Sequence, residues 1–172
     1  MKAKSQSIGK EFEDKVKATL DTYMAHQLGF FWRNYQSSRV VYIRGRPKTV
    51  RVKGLPDFAG VLIGGRYIVF DTKSTNNKNK WTLSKGDAHQ YEHMLNASKF
   101  GAMAFFLLEM RPAGVCVILR VSESCSYPDN RPTVSLAVAD EDAYVATFEP
   151  VGNYIDWLST LQENAGNPLF RI

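Results

Sequence analysis

Residues 54–75 read GLPDFAGVLIGGRYIVFDTKST. Two apolar runs flank adjacent glycines, which predicts a β-hairpin. Asp57 opens the first run, and Asp71 and Lys73 close the second. Charge in so apolar a hairpin needs a reason, because a buried ionised group is costly unless it is paired or bound to a metal.

The turn decides what those charges do. A two-residue Gly64-Gly65 turn pairs Ile63 with Arg66 and sends Asp57 and Asp71 to opposite faces. A three-residue turn, Ile63-Gly64-Gly65, pairs Leu62 with Arg66, and Asp57 then lies directly opposite Asp71 on one face. Gly65 suits the left-handed last position of the longer turn and its bulge, so the three-residue form is expected. Alternation puts Lys73 on the Asp71 face. Opposed like charges destabilise a sheet, so the aspartate pair calls for a cation between its members.

Upstream, Ser7–Leu28 has helical periodicity, with Phe12, Val16, Leu20, Tyr23, Met24 and Leu28 on one side and Gly29 as its stop. Glu13 lies about 20° from both Leu20 and Met24 at 100° per residue, inside the apolar arc. It is a third carboxylate turned toward the core. Downstream, the polar loop STNNKNK leads to Ser84, which with Asp87 predicts a capping box for a helix through about Lys99. FFWRNYQ, RVVYIRG, TVRVKG, GAMAFFLLEM and GVCVILRV read as strands, and TVSLAV as a short strand or helix lead-in. NYIDWLSTLQ reads as a final amphipathic helix, about 152–165. These elements predict an α/β fold, a central mixed β-sheet flanked by helices on both faces.

At 172 residues and 44% hydrophobic, one domain over 1–172 with a sizeable core is expected. No apolar run is long enough for a membrane span, and MKAKSQSIGKEFEDKV has no apolar segment of a secretory signal. Cys116 and Cys125 are too few for a disulfide framework. A cytoplasmic, reducing setting is expected. The net charge of +5 is unevenly spread: 22–86 holds twelve Lys and Arg against only Asp57 and Asp71, so the remainder is acidic. Such segregation marks a surface for a polyanion. The densest part is the basic hairpin Arg39–Lys53, with Arg39, Arg44, Arg46, Lys48, Arg51 and Lys53 and a turn expected around Arg46-Pro47-Lys48. Lys78 and Lys80 extend the basic surface.

Carboxylates with a lysine form a hard, oxygen-rich site suited to Mg²⁺, with Mn²⁺ as the second choice. Such a metal activates water and neutralises charge on a phosphate, and the basic surface holds the backbone. Chemistry and charge together predict a nuclease. His89 and His93 have zinc-pair spacing but lack the adjacent glutamate of a zincin, so His89 is read as structural or phosphate-facing.

Pro56-Asp57 with Asp71-Thr72-Lys73 resembles the PD-(D/E)xK nuclease signature. Residues 57–94 as a whole, with the GRYI strand, the Lys73–Lys78 loop and the HQYEHM helix, resemble the core of RecU-type Holliday junction resolvases. GKEFE at 9–13 is similar to that family's N-terminal glutamate motif. The resemblance implies a restriction-endonuclease-like core and a magnesium-dependent, homodimeric endonuclease that nicks four-way junctions symmetrically. It implies Asp57, Asp71 and the Thr72 backbone carbonyl as metal ligands, with Glu13 as a further acid reaching the metal directly or through water. Lys73 becomes the catalytic lysine and Gln90 an accessory catalytic residue. Asp71 stands where the family has a glutamate, and only the basic hairpin stands where the family has a long stalk. A repair or restriction-like nuclease on linear or flapped DNA, and a non-catalytic nucleic-acid-binding module, are the alternative readings.

Overall fold

The computed structural model describes residues 2–35, 38–51, 54–121, 133–135, 145–148 and 154–163. Helix α1, Lys2–Ala25, leads into strand β1, Gly29–Arg33. Its apolar residues recur three and four apart, and Phe12, Val16, Leu20 and Tyr23 are all buried. The helix ends earlier than the sequence predicts, and Gly29 is not its stop. Gln27 takes the left-handed conformation (φ 58°). The Leu28 N–H then donates to the Tyr23 carbonyl and the Gln27 N–H to the Met24 carbonyl, the paired bonds of a Schellman ending.

Strands β2 (Ser38–Ile43) and β3 (Arg46–Arg51) form a two-stranded sheet of their own. Its turn is Arg44-Gly45, not the expected Arg46-Pro47-Lys48, because Ile43 pairs with Arg46. Both turn residues have positive φ, 52° and 75°, as a type I′ hairpin turn requires. Pro47 sits opposite Tyr42. In a two-residue hairpin that pair exchanges no ladder bonds, so the missing N–H costs nothing.

Strands β4 (Phe58–Leu62) and β5 (Tyr67–Thr75) form the opening hairpin. Phe58 pairs with Phe70 and Val61 with Tyr67, and the Leu62 N–H donates to the Arg66 carbonyl at 2.9 Å. That is the three-residue turn the glycines predict, with Gly64 and Gly65 at φ 92° and 89°.

After β6 (Lys80–Thr82), a single 3-10 turn over Lys85–Asp87 enters helix α2, Ala88–Lys99. Ser84 and Asp87 do not form the predicted capping box. The Ser84 hydroxyl donates to the Asp87 carboxylate at 2.5 Å, and the α-helix starts one residue later. Strands β7 (Met103–Met110), β8 (Val115–Arg120), β9 (Thr133–Ser135) and β10 (Val145–Phe148) precede α3, Trp157–Glu163. The sequence reading did not anticipate β10. It also started the last helix too early. Asp156 caps it, accepting from the Ser159 N–H at 3.2 Å, and residues beyond 163 lie outside the described set.

One six-stranded sheet, in the order β1-β4-β5-β7-β8-β10, organises these elements, and β6 pairs separately with β9. It is mixed: β5 and β7 run parallel, and its other pairs are antiparallel. On one face α1 and α3 pack over Phe58, Ile68, Phe70, Phe105 and Leu107. On the other, Tyr91 and Met94 of α2 pack over Val69, Ala104, Phe106 and Leu108. This is the α/β arrangement the sequence predicts, a central mixed sheet with helices on both faces. Phe58, Phe70 and Phe105 stack across three neighbouring strands, with centroids 5.3 and 4.9 Å apart. Trp157 packs against Phe70 and Phe105.

Candidate active site

β4 begins at Phe58, whereas β5 runs on to Thr75 and pairs only with β7 beyond Phe70. The sheet therefore has a notch beside Asp71, with Asp57 at its lip. Register places 57 across from 71, and three bonds knit the lip. The Asp57 N–H donates to Asp71 Oδ1 at 3.2 Å. Asp57 Oδ2 accepts from the Thr72 N–H at 2.9 Å and the Thr72 hydroxyl at 2.6 Å. Asn34, just past β1, closes the lip from outside, its N–H donating to the Asp57 carbonyl and its side-chain amide to the Pro56 carbonyl.

Asp71 is fully buried. Its Oδ1 accepts a 2.7 Å bond from Gln90 Nε2 on α2. Among the described residues its Oδ2 has no partner in hydrogen-bond geometry, although Lys73 Nζ stands 2.6 Å away as an ion-pair partner. Lys73 Nζ also donates to Asp87 Oδ1 at 3.1 Å and to Gln90 Oε1 at 3.2 Å. Burial and the Asp57 charge push the Asp71 carboxyl up from its ordinary value, against the pull of Lys73. Burial alone would lower the Lys73 ammonium, but Asp71 and Asp87 outweigh it and hold the proton on. The cation that opposed carboxylates require is here the lysine itself.

Glu13 stands on α1 over the opposite face and is ion-paired with Arg33 of β1, which also reaches Asp14 at 3.4 Å. Burial raises the Glu13 carboxyl, the Asp57 charge adds to this, and Arg33 opposes both. So Glu13 senses Asp57 electrostatically while its carboxylate is held by a guanidinium. Among the described residues, no three His, Cys, Asp or Glu side chains gather closely enough to hold a metal by themselves. The donors at the notch nevertheless fit a hard divalent cation: all are oxygens, and Asp71 Oδ2 is a buried carboxylate oxygen without a hydrogen bond.

The family of recombination protein U (RecU) matches residues 7–163. The chain belongs to the RecU family. A "Holliday junction resolvase RecU" of Streptococcus agalactiae is 30% identical over 127 residues, 69% of this chain and 63% of that protein. One from Pediococcus pentosaceus is 27% identical over 115 residues, 63% of this chain and 57% of that protein. The chain thus spans somewhat under two thirds of the length of the curated RecU relatives it matches. A solved structure of Hjc, a Holliday junction resolvase from Archaeoglobus fulgidus, is 16% identical with a TM-score of 0.41, covering 70% of this chain and 85% of that one.

Of the residues the sequence points to, this RecU chain brings Asp57, Asp71, Thr72, Lys73 and Gln90 together, with Glu13 one layer away. His89 is half-buried beside Gln90. Arg39, Arg44, Arg46 and Lys48 are exposed on the β2–β3 hairpin, and Lys78 and Lys80 are exposed after β5. Arg51 pairs with Ser38, and Lys53 lies outside the described residues. Sequence reading missed two partners. Arg33 counted only as one of many basic residues, and Asp87 only as a helix cap; neither signals its role locally. Among the described residues no helix is long and apolar enough to cross a membrane.

Proposed function

We propose that the chain is a divalent-metal-dependent endonuclease that acts as a homodimer on four-way DNA junctions. One observation carries the reading: in a chain of the RecU family, Asp57, Asp71, Lys73 and Gln90 converge at a notch in the sheet. Asp57, Asp71 and the Thr72 carbonyl would hold Mg²⁺ or Mn²⁺, with Glu13 acting through water. The metal supplies an activated water and neutralises charge on the phosphate.

The chain's own residues do the rest. Thr72 fixes the Asp57 carboxylate with two bonds, and Gln90 fixes Asp71 Oδ1. Lys73 holds a positive charge beside the reacting phosphate, stabilising negative charge that grows in the transition state. The exposed cations of the hairpin, with Lys78 and Lys80, take the phosphate backbone.

Two related cuts need two such sites, which is why a dimer belongs to the reading. An uncovered apolar patch supports it: Phe30 and Trp32 are exposed on edge strand β1, at 67% and 39%. Large exposed aromatics on one edge are unusual in a monomer. The test is incubation of labelled four-way junction, duplex and flap with Mg²⁺ or EDTA, with sedimentation alongside. Symmetric nicking of the junction alone is expected. Cutting duplex or flap equally well makes this a general DNA nuclease, and metal-independent binding without cutting makes it a binding module.

A further inference from the structure

Lys73 has more partners than a single ion pair needs. Its ammonium sits between two carboxylates, Asp71 Oδ2 at 2.6 Å and Asp87 Oδ1 at 3.1 Å, with Gln90 Oε1 at 3.2 Å. An ammonium has three donors, and three acceptors surround this one. The two acids differ in setting. Asp71 is fully buried on β5, while Asp87 is 27% exposed in its side chain and stands on the turn before α2. Ser84 occupies Asp87 Oδ2, which leaves Oδ1 for the lysine.

Lys73 Nζ lies against the Asp71 oxygen that a divalent cation would take. Two cations cannot share that oxygen at such distances without strong repulsion. If Asp71 were the lysine's only partner, metal entry would strand a largely buried ammonium, a costly outcome. Asp87 and Gln90 remove that cost, since they keep two of its acceptors in place once Asp71 turns to the metal.

We propose that Asp87 is a positioning residue that takes over the Lys73 ammonium when a divalent cation claims Asp71, so that the lysine stays beside the site and the cation need not displace it from its last anion. This rests on the metal-binding part of the proposed function but not on the junction as substrate. It gives the Ser84–Asp87 pair, which does not form the predicted capping box, a different role: aiming Oδ1 at Lys73.

The test is Mn²⁺ binding by calorimetry to metal-free protein, in four variants: wild type, Asp87→Asn, Lys73→Ala and the double variant. Asp87→Asn preserves shape and removes the charge. It should weaken Mn²⁺ binding about tenfold, a coupling typical of side chains in one network. In the Lys73→Ala background the same change should weaken it less than about twofold. Asp87→Glu should restore most of the affinity, which separates a charge effect from a folding defect.

Equal losses in both backgrounds would mean that Asp87 attracts the metal directly, and would overturn the inference. An unchanged affinity in Asp87→Asn, or no Mn²⁺ binding by the wild type, also overturns it. Junction cleavage by the wild type is scored in parallel. Coupling without cleavage supports the lysine hand-over while removing the resolvase reading; cleavage without coupling does the reverse.

Discussion

The chain carries two basic-flanked hairpins that differ in almost everything but their glycine turns. β4–β5 lies inside the six-stranded sheet, with Phe58, Ile68, Val69 and Phe70 wholly buried. Among the described residues, β2–β3 pairs with no other strand. It exposes Val40, Tyr42 and Ile43 at 59%, 74% and 49%. The first buries Asp71 fully and Asp57 in part, so each needs a named partner. The second places cations where water is plentiful, so Arg44, Arg46 and Lys48 need none until a polyanion arrives. The proposed function puts chemistry on the rigid hairpin and electrostatic capture on the solvated one.

The sharpest way to break this division is at the carboxylates. Asp57→Asn and Asp71→Asn should each lower cleavage about a thousandfold or more, as loss of a metal-holding group does. Stability should not fall with activity. Because Asp71 is raised in the folded, metal-free protein, its ionised form opposes folding. The stability this group lends is complete below its unfolded value and is lost as pH rises toward the folded one. Metal-free Asp71→Asn should therefore melt at or above the wild-type temperature at neutral pH. A variant that keeps near-normal turnover in Mg²⁺ would remove Asp71 from the site.

Next in size is Lys73→Ala, expected to slow cleavage about a hundredfold while junction affinity in Ca²⁺ stays nearly constant. One lysine is a small part of a phosphate footprint. If affinity drops in step with rate, Lys73 belongs with the capture surface and the two hairpins share a task.

The exposed hairpin is probed without touching the first. Arg44→Asn, Arg46→Gln and Lys48→Gln together remove three charges, and asparagine tolerates the positive φ at 44 better than alanine does. Junction affinity in Ca²⁺ should fall, and the log–log salt slope should flatten by up to about 0.9 per lost contact. Equal weakening on duplex and junction would make the hairpin a general phosphate clamp. Branch selectivity would then come from the spacing of two sites in a dimer.

The smallest expected effect compares the turns themselves. Gly65→Ala forces a side chain into φ 89° within the main sheet and should cost about 1 kcal/mol of global stability. Gly45→Ala meets similar strain at φ 75°, but an isolated two-stranded ribbon adds little to global stability. Its melting temperature should barely move. A comparable drop for both would show that the basic hairpin folds as part of the core.

Legibility in the sequence divides along the same line. The register of β4–β5 was readable because a side-chain period of two turns one residue of loop into a choice of face, and Gly65 favoured one answer. Gln90 was found through family likeness; nothing in its local pattern marks it. The β2–β3 turn was misread because proline is a strong turn signal, while Arg44 at positive φ leaves no such mark. Arg33 and Asp87 were opaque for a further reason. Each acts through a partner 14 or 20 residues away, and only the fold brings those side chains together.

The stacked rings of Phe58, Phe70 and Phe105 have a consequence for how the molecule opens. Phe58 and Phe70 directly adjoin Asp57 and Asp71 in the chain, so the candidate notch is bolted to a three-strand aromatic ladder backed by Trp157. Amides in such a place exchange with solvent deuterium only when the whole core unfolds, whereas a separate ribbon exchanges by local opening. The amides of Phe70 and Asp71 should be among the slowest in the protein and those of 38–51 among the fastest. Asp57 and Asp71 would then keep their spacing through every excursion short of global unfolding, while the basic arm breathes.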